Sequence, residues 1–304
     1  MDNNGVLRTS WLRGAIARRG QRVARTAFVL SGGGNQGAAQ VGMLRALLER
    51  GIVPDVVIGT SVGALNGAAL ACAPDLAGIE RLAETWRGLE GDHVFPGGPI
   101  SKAWNILRRD SHLCESDGLE AIIDAVVPRT RFEHLTIPLR VIATDLDSGH
   151  EVVLASGPLK PALLASTALP GAFPPVDHDG RRLIDGGVVD NVPLSHALDG
   201  QVDRVYVCNV SGEMADRATR SPLDAVMRAF TIARNQRFTL DMFNAPPEVE
   251  VVVLPRPVDR REILDFSGAG ALIDEAYHLA GGTLHGLAVE PAVRRRRARR
   301  SDVA

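Results

Sequence analysis

The chain has 304 residues, 45% of them hydrophobic and only 4% aromatic, with a formal net charge of −2. That length and apolar content suit one large core, and no Pro/Ser-rich linker or internal repeat divides the chain, which excludes a disordered, fibrous or repeat protein. Charge is segregated: residues 1–25 hold six arginines against Asp2 and residues 294–304 hold six against Asp302, leaving about −12 between them.

The expected organisation is a basic segment over 1–25, one domain over 26–288 and an Arg-rich tail over 289–304. In the first segment Leu7, Trp11, Leu12 and Ile16 fall near one helical face, so it either lies on anionic lipid as an amphipathic helix or stays solvated. The tail reads as disordered, because blocks of like charge repel. Nucleic-acid binding is not expected, since the acidic body opposes it. Arginines interrupt every apolar run near the amino terminus, so a secretory signal is not expected. The expected location is cytoplasmic, with peripheral contact at the inner membrane face; an Arg-rich, acid-poor segment is also the composition of an organellar transit peptide.

In chain order, residues 26–31 suit a buried strand and residues 55–59 its parallel neighbour. Between them, residues 38–50 carry Val41, Leu44, Leu47 and Leu48 at helical spacing, which makes a strand–helix–strand crossover. The uncharged stretch 56–74 reaches membrane-span length but holds Gly59, Thr60, Ser61, Gly63, Asn66 and Gly67, so it reads as strand, turn and a buried helix over 62–72. Helices are expected over 75–86 and 117–127, the second opening with Asp117 and Glu120 at capping-box spacing. Residues 88–116, with Phe95 and Trp104, are read as a lid. Strands follow at 139–145 and 151–154, joined across Asp147-Ser148-Gly149. Residues 161–175, with four prolines and no charge, read as an apolar loop that either lines an acyl pocket or packs into the core. Residues 181–184 and 204–209 read as strands and 223–243 as a long amphipathic helix. Cys72, Cys114 and Cys208 lie far apart without metal-ligand spacing and read as free thiols; neither a metal nor a cofactor is expected.

Chemistry concentrates in two glycine-rich turns, Ser31-Gly32-Gly33-Gly34-Asn35-Gln36-Gly37 and Gly59-Thr60-Ser61-Val62-Gly63, each following an apolar strand. Open α/β sheets place ligands at the carboxyl ends of such strands. In Gly-x-Ser-x-Gly the glycines let the backbone fold back and leave the serine hydroxyl exposed, while the next helix points its free N–H groups at the site. The Gly32-Gly33-Gly34 loop adds further N–H groups. None of His93, His112, His134, His150, His178, His196, His278 and His285 has a distinctive local setting, so the stronger candidate base is Asp185. It leaves a strand end before Gly186-Gly187, where partial desolvation would strengthen it as a base; Asp185-Gly186 alone also fits a tight turn closing a hairpin.

These blocks, together with Ala165-Ser166-Thr167-Ala168-Leu169-Pro170-Gly171-Ala172-Phe173-Pro174-Pro175 and with Asn191 and Pro193 after Asp185-Gly186-Gly187, resemble the patatin-like phospholipases in that family's order. The resemblance covers roughly residues 26–285. It implies a three-layer α/β/α sandwich with a mostly parallel sheet, and a Ser–Asp dyad without histidine acting on acyl esters of lipids. By that match Ser61 is the nucleophile, Asp185 the base, the backbone of Gly32, Gly33 and Gly34 the oxyanion hole, and Gly59 and Gly63 the nucleophile elbow. Gly37, Gly186, Gly187, Asn191 and Pro193 support them. The family usually carries Arg or Lys where this chain has Gln36, so a local positive charge for a lipid phosphate is missing there.

Three other readings compete. Gly32-x-Gly34-x-x-Gly37 matches a dinucleotide fingerprint, but Asp55 precedes the second strand instead of ending it. A conventional α/β-hydrolase would pair Asp185 with His278 or His285, yet its serine normally follows several more strands. A catalytically silent lipid-binding protein of the same fold is the third.

Overall fold

Strands β1 (Thr26–Leu30), β2 (Val56–Thr60), β3 (Leu139–Asp145), β7 (Arg204–Cys208) and β8 (Glu250–Val253) run parallel in one sheet. Spatially the sheet reads β5-β6-β3-β2-β1-β7-β8. Antiparallel β5 (Val176–His178) and β6 (Arg181–Asp185) extend it beyond β3, and β4 (Glu151–Leu154) also pairs with β3. The chain moves from β1 outward through β2 and β3, then returns to the other side of β1 with β7. That reversal creates the crevice beside the carboxyl end of β1 where such sheets hold ligands. The computed structural model describes residues 24–89, 117–198, 202–211, 222–258 and 265–286, with the side chains of 222–228 and 230 excepted. Most of the basic segments and most of the stretch read as a lid lie outside them.

Strand side chains alternate between two apolar layers, as a period of two requires. Phe28, Leu30, Val57, Val141, Tyr206 and Cys208 face the larger layer. It holds α1 (Gly37–Glu49), α2 (Val62–Cys72), α3 (Leu76–Gly88), α4 (Asp117–Val126), α5 (Leu159–Thr167) and α8 (Ala269–His285). Their neighbours Ala27, Val29, Ile58, Ile142, Val205 and Val207 face a thinner layer with Ala197 of α6 (Ser195–Leu198) and Phe238 of α7 (Pro222–Phe243). The result is a helix–sheet–helix sandwich whose larger core runs from Phe28 to Leu284.

Under the glycine-rich turns lies a buried polar network. Gln40 of α1 donates to the carbonyls of Ser31 and Cys208, accepts from Asn66 of α2, and the Asn66 amide oxygen accepts from the Trp86 indole. With these polar groups paired, the network ties α1, α2 and α3 to the ends of β1 and β7.

One expectation is corrected and one alternative is set aside. Residues 161–175 do not form one loop: Leu159–Thr167 is helical. Pro161 is its third residue, where a backbone N–H would have no intrahelical partner, so proline costs the helix little. The Asp-Gly turn that closes a hairpin is Asp179-Gly180 between β5 and β6, both residues with positive φ, and not Asp185-Gly186.

Candidate active site

Register brings the serine and the aspartate together. Thr60, the last residue of β2, pairs with Ile142, and the next residue of β3, Ala143, pairs with Asp185 at the end of β6. Ser61, one step past Thr60, is therefore level with Asp185. The Ser61 hydroxyl donates to Asp185 Oδ2 at 2.6 Å.

Ser61 sits at φ 55° and ψ −128°, a conformation costing on the order of 1–3 kcal/mol for a side-chain-bearing residue. The neighbours hold it there. A Cβ on Gly63 would collide with the carbonyl oxygens of Leu30 and Ser31, and one on Gly59 with the Gly63 carbonyl oxygen. The Ser61 N–H donates to Ser166 Oγ at 2.9 Å, and Ser166 donates on to the Ile142 carbonyl at 2.6 Å. Thus Ser166 of α5 pins the turn to β3, a role its place in the quoted Ala165–Pro175 block did not make visible.

Asp185 is 4% exposed. Gly187 N–H donates to its Oδ1 at 2.7 Å, Thr144 Oγ1 to its carbonyl at 3.1 Å, and its own N–H donates to the Ala168 carbonyl at 3.0 Å. Burial raises its pKa from 3.8 to about 6, against the opposing pull of the Ser61 hydroxyl, Gly187 N–H and the Arg234 guanidinium. The carboxylate is thereby shifted toward neutral pH while remaining aimed at Ser61.

Arg234, on α7, is a cavity-lining residue that sequence reasoning missed. Its Nη1 donates to Asn191 Oδ1 at 3.3 Å, and Asn191 Nδ2 donates to the Gly32 carbonyl at 3.3 Å. Burial lowers the Arg234 pKa against the attraction of Asp185. The only sequence signal was one arginine on an amphipathic helix. Arg234 places a positive charge near Asp185 from another element, where Gln36 carries none. Gln36 itself donates to Asn35 Oδ1 at 3.4 Å and does not line the cavity described next.

Ser61, Asp185, Asn191, Arg234, Gly33 and Gly34 line one cavity. Its apolar wall includes Leu82, Trp86, Leu119, Ile122, Leu169 and Phe173. Gly32 differs from its two neighbours, because its N–H already donates to the Asn191 carbonyl at 3.0 Å. The expected three-glycine donor set is therefore reduced by one, and Gly32 instead gives space for Asn191. No histidine among the described residues lines the cavity; His278 and His285 both lie on α8. Asp55, the acidic residue of the dinucleotide reading, accepts the Thr26 N–H at 2.9 Å, at the start of β1 and far along the strands from Ser61.

A second polar cluster lies behind this loop. Glu151 of β4, Asp190, and His196 of α6 converge, with Arg237 of α7 contacting Glu151 Oε2 at 3.2 Å and Asp190 Oδ2 at 3.3 Å. Asp190 is fully buried, and burial pushes it up to about 7.

A family model described as patatin-like phospholipase matches residues 28–198. An uncharacterized NTE family protein of Mycobacterium tuberculosis is 33% identical over 205 residues, covering 67% of this chain and 54% of that protein. The patatin-like phospholipase domain-containing protein ZK370.4 of Caenorhabditis elegans is 32% identical over 228 residues, covering 73% of this chain and 16% of that protein. The chain thus spans about half the length of the first relative and a small part of the second. Among solved structures, VipD from Legionella pneumophila aligns with a TM-score of 0.47 and 16% identity, covering 87% of this chain and 67% of that one. Human GIVD cytosolic phospholipase A2 aligns at 0.47 and 11%, covering 86% and 58%.

Proposed function

This chain belongs to the patatin-like phospholipase family, and we propose that it is a lipid acyl hydrolase using Ser61 and Asp185 as a catalytic dyad. The observation that carries this reading is the 2.6 Å hydrogen bond from Ser61 Oγ to a buried carboxylate. Asp185 takes the Ser61 proton as Oγ attacks the ester carbonyl, and the N–H groups of Gly33 and Gly34 receive the negative charge forming on its oxygen. The amino-terminal end of α2 adds its positive dipole. Protonated Asp185 then returns the proton to the departing alkoxide, leaving an acyl group on Ser61. In the second half Asp185 draws a proton from the water that attacks the acyl-enzyme and hands it to Ser61 Oγ as the C–Oγ bond breaks, which releases the fatty acid and restores the dyad.

Substrate class follows from the cavity. Leu82, Trp86, Leu119, Ile122 and Phe173 suit an acyl chain, and Arg234 gives an anionic headgroup a counter-charge. The acting domain spans residues 26–288, and the basic residues at either end bring it to anionic membrane from the cytoplasm. Among the described residues no helix is long and apolar enough to cross a membrane.

The test is covalent labelling. A fluorophosphonate probe should modify the wild type at Ser61 and leave Ser61→Ala unlabelled, while both Ser61→Ala and Asp185→Asn lose at least about a thousandfold of ester turnover. Labelling at another serine, or loss of turnover on a single His→Ala change with Asp185→Asn still active, would falsify the dyad. A protein that binds lipid vesicles but neither labels nor turns over any acyl ester would be the silent lipid-binding form of the fold.

A further inference from the structure

We propose that Glu151, Asp190 and His196 form a binding site for one divalent transition-metal ion of the zinc class, behind the loop that carries Asp185. The three residues come from β4, from the turn after Gly186–Val188, and from α6, so only the fold assembles them. One candidate ligand atom from each lies within 4.8 Å of the other two. Closing them onto an ion at about 2.0–2.2 Å asks for shifts of under about an ångström. His196 Nε2 already meets Glu151 Oε1 directly.

The independent observation is the state of Asp190. Its side chain is completely buried, neither carboxylate oxygen accepts a well-aligned hydrogen bond, and its charged partner is Arg237 at 3.3 Å from Oδ2. Arg237 stands beside Glu151 Oε2 and Asp190 Oδ2, and no donor meets Asp190 Oδ1. Arg237 offsets part of the cost of burying this carboxylate but leaves Oδ1 without a donor, the position a bound cation would take. One imidazole nitrogen and two carboxylates are a donor set that suits zinc over magnesium or calcium, which take oxygen ligands alone. Glu151 and His196 keep 17% of their side chains exposed, which leaves an entry path for the ion.

A metal here would act on the neighbouring site through the backbone. The Asp190 carbonyl accepts the Thr60 hydroxyl at 2.9 Å, and the Asp190 N–H donates to the Gly186 carbonyl at 2.9 Å. An ion on Asp190 therefore fixes both the residue before Ser61 and the turn after Asp185. These contacts make the three ligands positioning residues.

The experiment uses the full chain, stripped with chelator, dialysed and titrated with Zn2+, with Mg2+ and Ca2+ as comparisons. Metal retained after gel filtration is counted by mass spectrometry and the melting temperature is followed. The expected result is one zinc per chain and a melting point raised by about 5 °C when free zinc is roughly a hundredfold above its Kd. Both effects should vanish in His196→Ala and in Glu151→Gln. Because a ligand variant can lose its fold, Co2+ loading of the unaltered protein supplies a second readout: visible absorption bands at one equivalent and paramagnetic shifts of the His196 ring protons. Retention of zinc by both folded variants, or no saturable zinc binding with no cobalt spectrum, overturns the proposal and leaves an ion-pair cluster or a shared proton. Neither readout requires turnover, so failure here is separate from failure of the dyad.

Discussion

Ser61 and Asp185 meet because each is held from behind. Ser166 and the crowding around Gly63 fix the serine, while Gly187 N–H and the Ala168 carbonyl fix the aspartate. Burial that raises the Asp185 pKa from 3.8 to about 6 carries a stability consequence with a definite sign. Between those values the folded chain holds a proton that the unfolded chain has released. Stability from this group is thus full below about pH 4 and falls as pH rises through about 6, by up to about 3 kcal/mol for two pKa units. Asp185→Asn keeps an acceptor for Gly187 N–H and removes the buried charge. We expect it to melt above the wild type at pH 8, with the gap closing toward pH 4, while its turnover is lost. The wild-type rate should rise through about pH 6, as Asp185 ionises, and then level. A lower melting point for Asp185→Asn at pH 8 would show that the carboxylate's own bonds outweigh its burial. Both residues were legible in the sequence because each sits within a short glycine-flanked motif. Arg234 and the Gly32–Asn191 pairing were not, since each depends on contact between segments distant in the chain.

At the scale of elements, the strands and helices of the first crossover were visible from apolar spacing, and β3, β4, β7 and α7 were read close to their observed bounds. The misread segment was α5, where proline content masked a helix that places its prolines in the first turn and beyond its end. Helix α8 was not read as an element; Gly270, Gly281 and Gly282 dilute its helical signal, and what stabilises it is packing on α1. That packing depends on Gly42, where a Cβ would collide with the Ile273 carbonyl oxygen in α8. Gly42→Ala should push the helices apart and cost about 1–3 kcal/mol or more. On the same helix pair, nothing lies within 4 Å of a Cβ on Gly282, so Gly282→Ala should gain about 0.5–1 kcal/mol from backbone entropy alone. Urea unfolding of both variants checks the pair. Equal signs for the two substitutions would mean that close approach at Gly42 does not set the spacing of α1 and α8.

For the whole molecule, charge falls on two levels, one in the cavity and one at the ends of the sequence. Arg234 stands inside the cavity, while a body of about −12 lies between chain ends that carry six arginines each. Segregation of the ends was legible from composition; the inner charge required the tertiary structure. Binding to an anionic surface is worth on the order of 1 kcal/mol per arginine near it, and salt screens it within about 10 Å at 0.1 M. The inner charge is less screened, because the side chain is partly buried. The two levels should therefore separate by experiment. Removing residues 1–25 or 294–304 should weaken binding to vesicles rich in anionic lipid about tenfold or more at low salt, with the rate on a short soluble ester close to wild type. Arg234→Gln should do the reverse: vesicle binding holds, and kcat/KM falls for anionic-headgroup lipids more than for neutral esters. Vesicle binding unchanged by both truncations would return the ends to the role of solvated tails, leaving apolar contact around the cavity mouth to bring the protein to lipid.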